Sequence, residues 1–227
     1  MDNLIISQDG SHTVMSEKFG VSYHSKYGAI QETQTVFINA GLKFQEEHGK
    51  DKISILEMGF GTGLNALMTL MQVSPSIKVD YHTIEAFPLK ESQYSKLNYP
   101  EILKLDSPTR EAFQLMHTCA SHSSEILSEQ FSFTKYLIKL EDFQTDRKFD
   151  VIYFDAFAPS SQEELWTEDM MSKMASFCNE GAVLVTYCAK GSFKRALKAA
   201  GFTVEGLDGP IGKREMTRAR YSDIHLT

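Results

Sequence analysis

The chain has 227 residues, 42% of them apolar and 23% charged, with a formal net charge of −7. Such a chain can build a sizeable core in one generous globular domain or two small ones, which excludes a disordered or low-complexity protein. The N-terminus, MDNLIISQDGSHTV, lacks the basic start and apolar stretch of a signal peptide, and no run approaches the roughly 18–20 apolar residues that span a bilayer; a soluble cytoplasmic protein with no membrane partner is expected.

Residues 1–50 read as an N-terminal extension packed on a catalytic domain of residues 51–227, with a small hairpin followed by a helix at Gln34 to Glu47. From residue 52 onward short apolar runs alternate with helical stretches, the signature of an α/β fold with a mainly parallel sheet. Strands are expected at Ile53 to Met58, Val79 to Ile84, Phe133 to Leu140, Phe149 to Phe154 and Ala182 to Cys188, each rich in β-branched or aromatic side chains. Helices are expected at Leu64 to Gln72, Leu89 to Leu97, Glu111 to Gln130, Glu163 to Phe177 and Ser192 to Ala200, the last closed by Gly201. Phe202 to Leu207, the Asp208-Gly209-Pro210 turn and Arg214 to Tyr221 then form a terminal hairpin that adds an antiparallel strand.

The segment Ile55-Leu56-Glu57-Met58-Gly59-Phe60-Gly61-Thr62-Gly63-Leu64-Asn65 runs from a strand through a glycine-rich turn into a helix. Glycines let the backbone turn tightly and approach a ligand, and the helix N-terminus offers unpaired N–H groups. The spacing is G-x-G-x-G, and Leu64 stands where a dinucleotide fingerprint has its last glycine. Glu57 would repel a pyrophosphate but favours a cationic ligand, and S-adenosylmethionine carries a sulfonium and an ammonium with no phosphate. Glu85 ends the second strand, where a carboxylate can accept both ribose hydroxyls. Glu141 and Asp142 follow the third, in position for an adenine amino group. The cofactor-binding set is therefore Glu57, Gly59, Phe60, Gly61, Thr62, Gly63, Asn65 and Glu85, with Glu141 or Asp142 at the adenine.

The fourth strand ends in Asp155-Ala156-Phe157-Ala158-Pro159, at the edge where open α/β sheets place reacting groups. Asp155 is the candidate for handling the atom that receives a methyl group, while Phe157 and Pro159 could shape a flat slot. Trp166 fits core packing and base stacking equally well. Cys119, Cys178 and Cys188 are scattered, without C-x-x-C spacing or a nearby histidine, so reduced structural thiols and no metal site are expected. The net negative charge hides an asymmetry: residues 190–220 hold eight basic side chains against three acidic ones, a local +5 that leaves −12 for the remainder.

Together, EMGFGTGLN from Glu57 to Asn65, Glu85-Ala86-Phe87-Pro88-Leu89, FDAFAPSSQEELW from Phe154 to Trp166 and Gly212-Lys213-Arg214-Glu215-Met216 resemble the methyltransferase domain of the MnmC family, which acts in tRNA 5-methylaminomethyl-2-thiouridine biosynthesis. Tyr23 to Leu42, with its Glu-Thr pair and following Val-Phe, also looks like that family's opening segment. The resemblance implies a class I S-adenosylmethionine-dependent methyltransferase (Rossmann-like) fold, with a mostly parallel seven-stranded sheet and an antiparallel C-terminal strand. It implies methyl transfer to the amine of 5-aminomethyl-(2-thio)uridine at the tRNA wobble position, with Asp155 accepting the amine proton; because the family commonly has Gly-Asp where this chain has Glu141-Asp142, it also implies Asp142 as the adenine-binding residue. On the same reading Phe157, Pro159, Trp166 and Tyr187 bind the base, and Lys190, Arg195, Lys213 and Arg214 hold anticodon-arm phosphates. A chain of this length is similar to the stand-alone form, without the FAD-dependent oxidoreductase domain, and would receive its aminomethyl substrate from a separate enzyme. Two other readings stay open: a methyl- or aminopropyltransferase acting on a small amine, and a non-catalytic tRNA-binding module.

Overall fold

The computed structural model describes residues 4–222; the outer ends of the two expected segments, 1–3 and 223–227, lie outside the described residues. The chain opens with a hairpin of β1 (Leu4–Ile6) and β2 (His12–Val14). Eight further strands make one sheet: β3 (Lys52–Met58), β4 (Lys78–Ile84), β5 (Ser124–Ser128), β6 (Phe131–Tyr136), β7 (Phe149–Phe154), β8 (Cys178–Thr186), β9 (Phe202–Asp208) and β10 (Glu215–Tyr221). Their spatial order is β5-β6-β4-β3-β7-β8-β10-β9. The pairings of β3 with β4 and β7, of β4 with β6 and of β7 with β8 are parallel, and only β5 and β10 run against the rest. This is the sheet of the S-adenosylmethionine-dependent methyltransferase fold, with β10 as the expected antiparallel strand and β5 as an eighth strand beyond the seven expected.

The extra strand lies within the stretch expected to be helical from Glu111 to Gln130. There the helix is Ser107–Thr118, started by the Asp106 side chain accepting the Thr109 N–H and by proline in its first turn. The chain then turns through His122, at φ 68°, into β5, which borders β6 with Ile126 facing outward. The helix expected at Leu89 to Leu97 shrinks to the single turn Glu91–Tyr94. That expected at Glu163 to Phe177 splits into a 3-10 turn, Glu163–Trp166, and a helix, Glu168–Ser176, because Thr167 is extended and its hydroxyl accepts the Met170 N–H as an N-cap.

Central strands read as continuous apolar runs because both faces are covered, and every residue of β7 is buried. One face, with Ile55, Tyr81 and Tyr153, packs under the helices Leu64–Gln72 and Ser107–Thr118 and a long N-terminal helical run. The other, with Leu56, Ile152 and Phe154, packs on Glu168–Ser176 and the helix Gly191–Ala199. The N-terminal run covers Ala29–Thr33, a wider π-wound Gln34–Lys43 and Phe44–Glu47. At Gly41 it comes so close to the sheet that a Cβ would stand 2.8 Å from the Tyr153 ring. This contact fixes the start of the run, and hence Glu32 and Thr33, over the carboxyl edge of β7.

Candidate active site

The order of the sheet reverses beside β3: the chain moves outward through β4 and β6, then returns to place β7 and β8 on the other side. Loops following β3 and β7 therefore diverge and leave a crevice at the carboxyl edge, where such sheets take ligands. It holds a cavity of about 380 Å3.

The glycine loop forms its floor. Gly59, at φ 92°, lies so close to the chain after β7 that a Cβ would stand 2.7 Å from the Asp155 carbonyl oxygen; Gly61, at φ 51°, would put one 2.8 Å from the Tyr23 ring. Both positions thus require glycine for backbone conformation and for space. The loop is stapled to the end of β4 by Glu85, whose Oε2 accepts the Gly61 N–H at 2.8 Å and whose Oε1 accepts the Phe87 N–H at 2.6 Å. Burial pushes this carboxyl up, and the backbone donors pull it back down. Glu85 reaches the cavity wall with Gly59, Phe60, Gly61 and Thr62, as expected. The Thr62 hydroxyl is held from behind by His24 Nε2, at 2.7 Å, and by the Tyr99 hydroxyl, at 3.1 Å; burial lowers His24 to about 4 and keeps its ring neutral.

Asp155, one residue past β7, faces the same cavity. Its Oδ2 accepts from the Asn65 amide at 2.9 Å, and Asn65 Oδ1 in turn accepts from the Thr33 hydroxyl at 2.9 Å. Enclosure raises this carboxyl to about 7, the negative charge of Glu32 adds to the rise, and Asn65 and Lys213 oppose it. A carboxyl poised there can accept a proton from an amine near neutral pH.

An aromatic mouth lies above. Phe157 meets Phe19 at 4.6 Å and Tyr23 at 5.0 Å between ring centroids, Phe19 meets Phe87 at 5.8 Å, and the Lys18 ammonium sits 3.4 Å over the Phe87 ring. Behind Asp155, the Tyr187 hydroxyl donates to the Ala156 carbonyl at 2.7 Å and its ring carries Lys213 Nζ at 3.8 Å.

Several expected site residues stand elsewhere. Glu57 is fully buried beneath the loop, paired in register with Thr83 and Tyr153, so its carboxyl does not reach the cavity. Burial drives it up to about 8, with Thr83 lowering it and Asp155 raising it. Gly63 and Asn65 lie behind the wall, the first as the left-handed start of Leu64–Gln72 and the second as the anchor of Asp155. At the turn after β6 the chain brings Glu141 to the wall and leaves Asp142 exposed outside it. Trp166 is 7% exposed, edge-on to Phe154 and Phe193, and its indole N–H donates to the Phe157 carbonyl at 2.9 Å; it props the loop instead of offering a stacking face. Pro159 falls just outside the wall formed by Ala158 and Ser160. Lys190, Arg195 and Arg214 are exposed and lie off the cavity, whereas Lys213 is turned inward, its ammonium 2.5 Å from Glu32. Sequence reasoning missed Lys18, Phe19, Tyr23, His24 and Glu32, all from the N-terminal extension.

Residues 115–222 match the family model described as S-adenosyl-L-methionine-dependent methyltransferase. Over 97% of its length the chain is 28% identical to the tRNA 5-methylaminomethyl-2-thiouridine biosynthesis bifunctional protein MnmC of Aromatoleum aromaticum, and over 96% it is 30% identical to that of Burkholderia thailandensis. It spans 36% and 35% of those two proteins, about a third of their length. Among solved structures, MNMC2 from Aquifex aeolicus is 26% identical with a TM-score of 0.77, covering 97% of this chain and 70% of that one. The magnesium protoporphyrin IX methyltransferase of Synechocystis, solved with bound SAM, has a TM-score of 0.52 at 13% identity over 85% of this chain and 81% of its own; that likeness extends to the fold alone.

Proposed function

We propose that this chain, which corresponds to the methyltransferase domain of the MnmC proteins and has the fold of S-adenosylmethionine-dependent methyltransferases, moves a methyl group to the primary amine of 5-aminomethyl-(2-thio)uridine at the tRNA wobble position. The observation that carries this reading is Asp155: a half-buried carboxyl, anchored by Asn65, at the same crevice edge as the glycine loop.

The cavity suits the cofactor on its own terms. Glycines at 59 and 61 leave room that a Cβ would fill, Glu85 presents a buried carboxylate to a ribose, and Ile84, Ala86, Ile138 and Leu140 give an apolar slot beside Glu141 for a flat ring. When bound, S-adenosylmethionine supplies an electrophilic methyl on a sulfonium sulfur. The chain's own part is orientation and proton handling. A primary alkylamine arrives mostly protonated; Asp155, ionised above about pH 7, accepts one proton and leaves the nitrogen lone pair free to attack. Phe157, with Phe19 and Tyr23, offers the planar apolar surface a splayed base stacks on, worth on the order of 1–3 kcal/mol per base. Lys190, Arg195 and Arg214 stand exposed on the C-terminal side for phosphates.

Methyl-labelled cofactor offered together with tRNA bearing 5-aminomethyl-2-thiouridine and with a diamine tests the substrate class. Label is expected in the tRNA. Label in the diamine alone would favour the small-amine reading.

A further inference from the structure

The cavity wall holds two charged groups for which methyl transfer to an amine has no direct need. Glu32, 5% exposed, faces the cavity together with Asp155. Its Oε1 takes Lys213 Nζ at 2.5 Å and its Oε2 accepts the Ser25 N–H at 3.0 Å. Lys213 belongs to the turn between β9 and β10, and that turn is seated on the N-terminal segment at two more points: the Ile211 N–H donates to Gln31 Oε1 at 3.2 Å, and Gly212 lies so close to Tyr27 that a Cβ would overlap its ring. From Lys213 the contact continues through the Tyr187 ring and hydroxyl to the carbonyl of Ala156, the neighbour of Asp155.

We propose that Glu32 and Lys213 are positioning residues of the transfer site: their ion pair ties the terminal hairpin turn to the N-terminal helix, and through Tyr187 it fixes the loop that aims Asp155 at the substrate amine. The proposal rests on the methyl-transfer reading for its substrate, while the clamp itself can be measured without one. Charges and titratable groups around Asp155 come from five elements: Glu32 on the first helix, Lys213 on the turn, Glu57 on β3, Tyr81 on β4 and Tyr187 after β8. Glu32 and Lys213 act on Asp155 with opposite signs, and that difference separates a specific clamp from a general loosening of the site.

The test uses the full chain labelled with 13C at aspartate carboxyls and follows the Asp155 resonance, identified by its loss in Asp155→Asn, from pH 5 to pH 9. Glu32→Gln is expected to lower the titration midpoint and Lys213→Met to raise it, each by about one pH unit. In turnover, Lys213→Met is expected to lower kcat about tenfold with KM for the cofactor within about twofold, and Lys213→Arg to restore most of it. Midpoints that stay fixed or move in the same direction in both variants overturn the clamp. If Glu32→Gln fails to fold, the upward shift and the kcat-only loss in Lys213→Met decide alone. Opposite shifts in the two variants, together with a wild-type protein inactive on tRNA, support the clamp and refute the substrate reading instead.

Discussion

Asp155 and Glu57 stand close to one another as acids of opposite use. Both are raised by burial, to about 7 and about 8, yet of the two only Asp155 meets the cavity, with one oxygen held at 2.9 Å by the Asn65 amide. Asp155→Asn is expected to cut methyl transfer by a factor of about 100 to 10,000, the range of general base removal, with cofactor affinity unchanged within a few-fold; single-turnover rates and calorimetry check the two halves. In the wild type the rate should rise with pH through about 7, since the protonated acid cannot accept the amine proton. Glu57 has the reverse consequence for stability. Its folded value lies above its ordinary 4.5, so the folded state holds a proton that the unfolded chain releases, and stability is lost as pH rises from about 4.5 through about 8. Glu57→Gln, which mimics the neutral acid, should therefore raise the melting temperature more at pH 8 than at pH 5. At roughly 2–4 °C per kcal/mol for a chain of this size, the difference is readable by thermal melts. Sequence showed both acids at strand ends but not their depth, because depth depends on which strands lie on either side.

At the scale of the element, the glycine loop and its strand were legible because apolar runs on both faces and a forced left-handed turn leave a local signature. The helix Leu64–Gln72 and the strand Phe149–Phe154 have the bounds their sequence suggests. What stayed hidden was tertiary. Nothing local distinguishes Glu141 from Asp142, yet the turn sets the first in the wall and leaves the second off it. Phe19 and Tyr23 belong to a segment with no periodicity, and they matter only because the chain returns over the crevice. The Glu-Thr pair at 32 and 33 was the available signal: two polar residues that are buried, both directed at the Asp155 network. Gly61→Ala tests the loop. The added Cβ meets the Tyr23 ring at a φ that disfavours it, so cofactor affinity should fall at least about tenfold by calorimetry, in keeping with a strain of roughly 1–3 kcal/mol.

At the scale of the whole molecule, charge is divided by task. The basic C-terminal stretch is less available than its count implies: Lys194 pairs with Glu215, Arg218 with Glu205 and Lys213 with Glu32. Lys190, Arg195, Lys198, Arg214 and Arg220 are exposed. Binding of tRNA through about three of these should weaken roughly 10- to 50-fold between about 50 and 200 mM salt, and Arg195→Glu with Arg214→Glu should flatten that dependence in a filter-binding titration while cofactor affinity is unchanged. Among the described residues, no helix is long and apolar enough to cross a membrane. The most direct test of the central claim is nucleoside mass spectrometry of tRNA carrying 5-aminomethyl-2-thiouridine after incubation with the protein and S-adenosylmethionine. The account requires a gain of one methyl on that nucleoside, lost in Asp155→Asn; an unchanged nucleoside with the wild-type protein, or an undiminished gain with the variant, would contradict it.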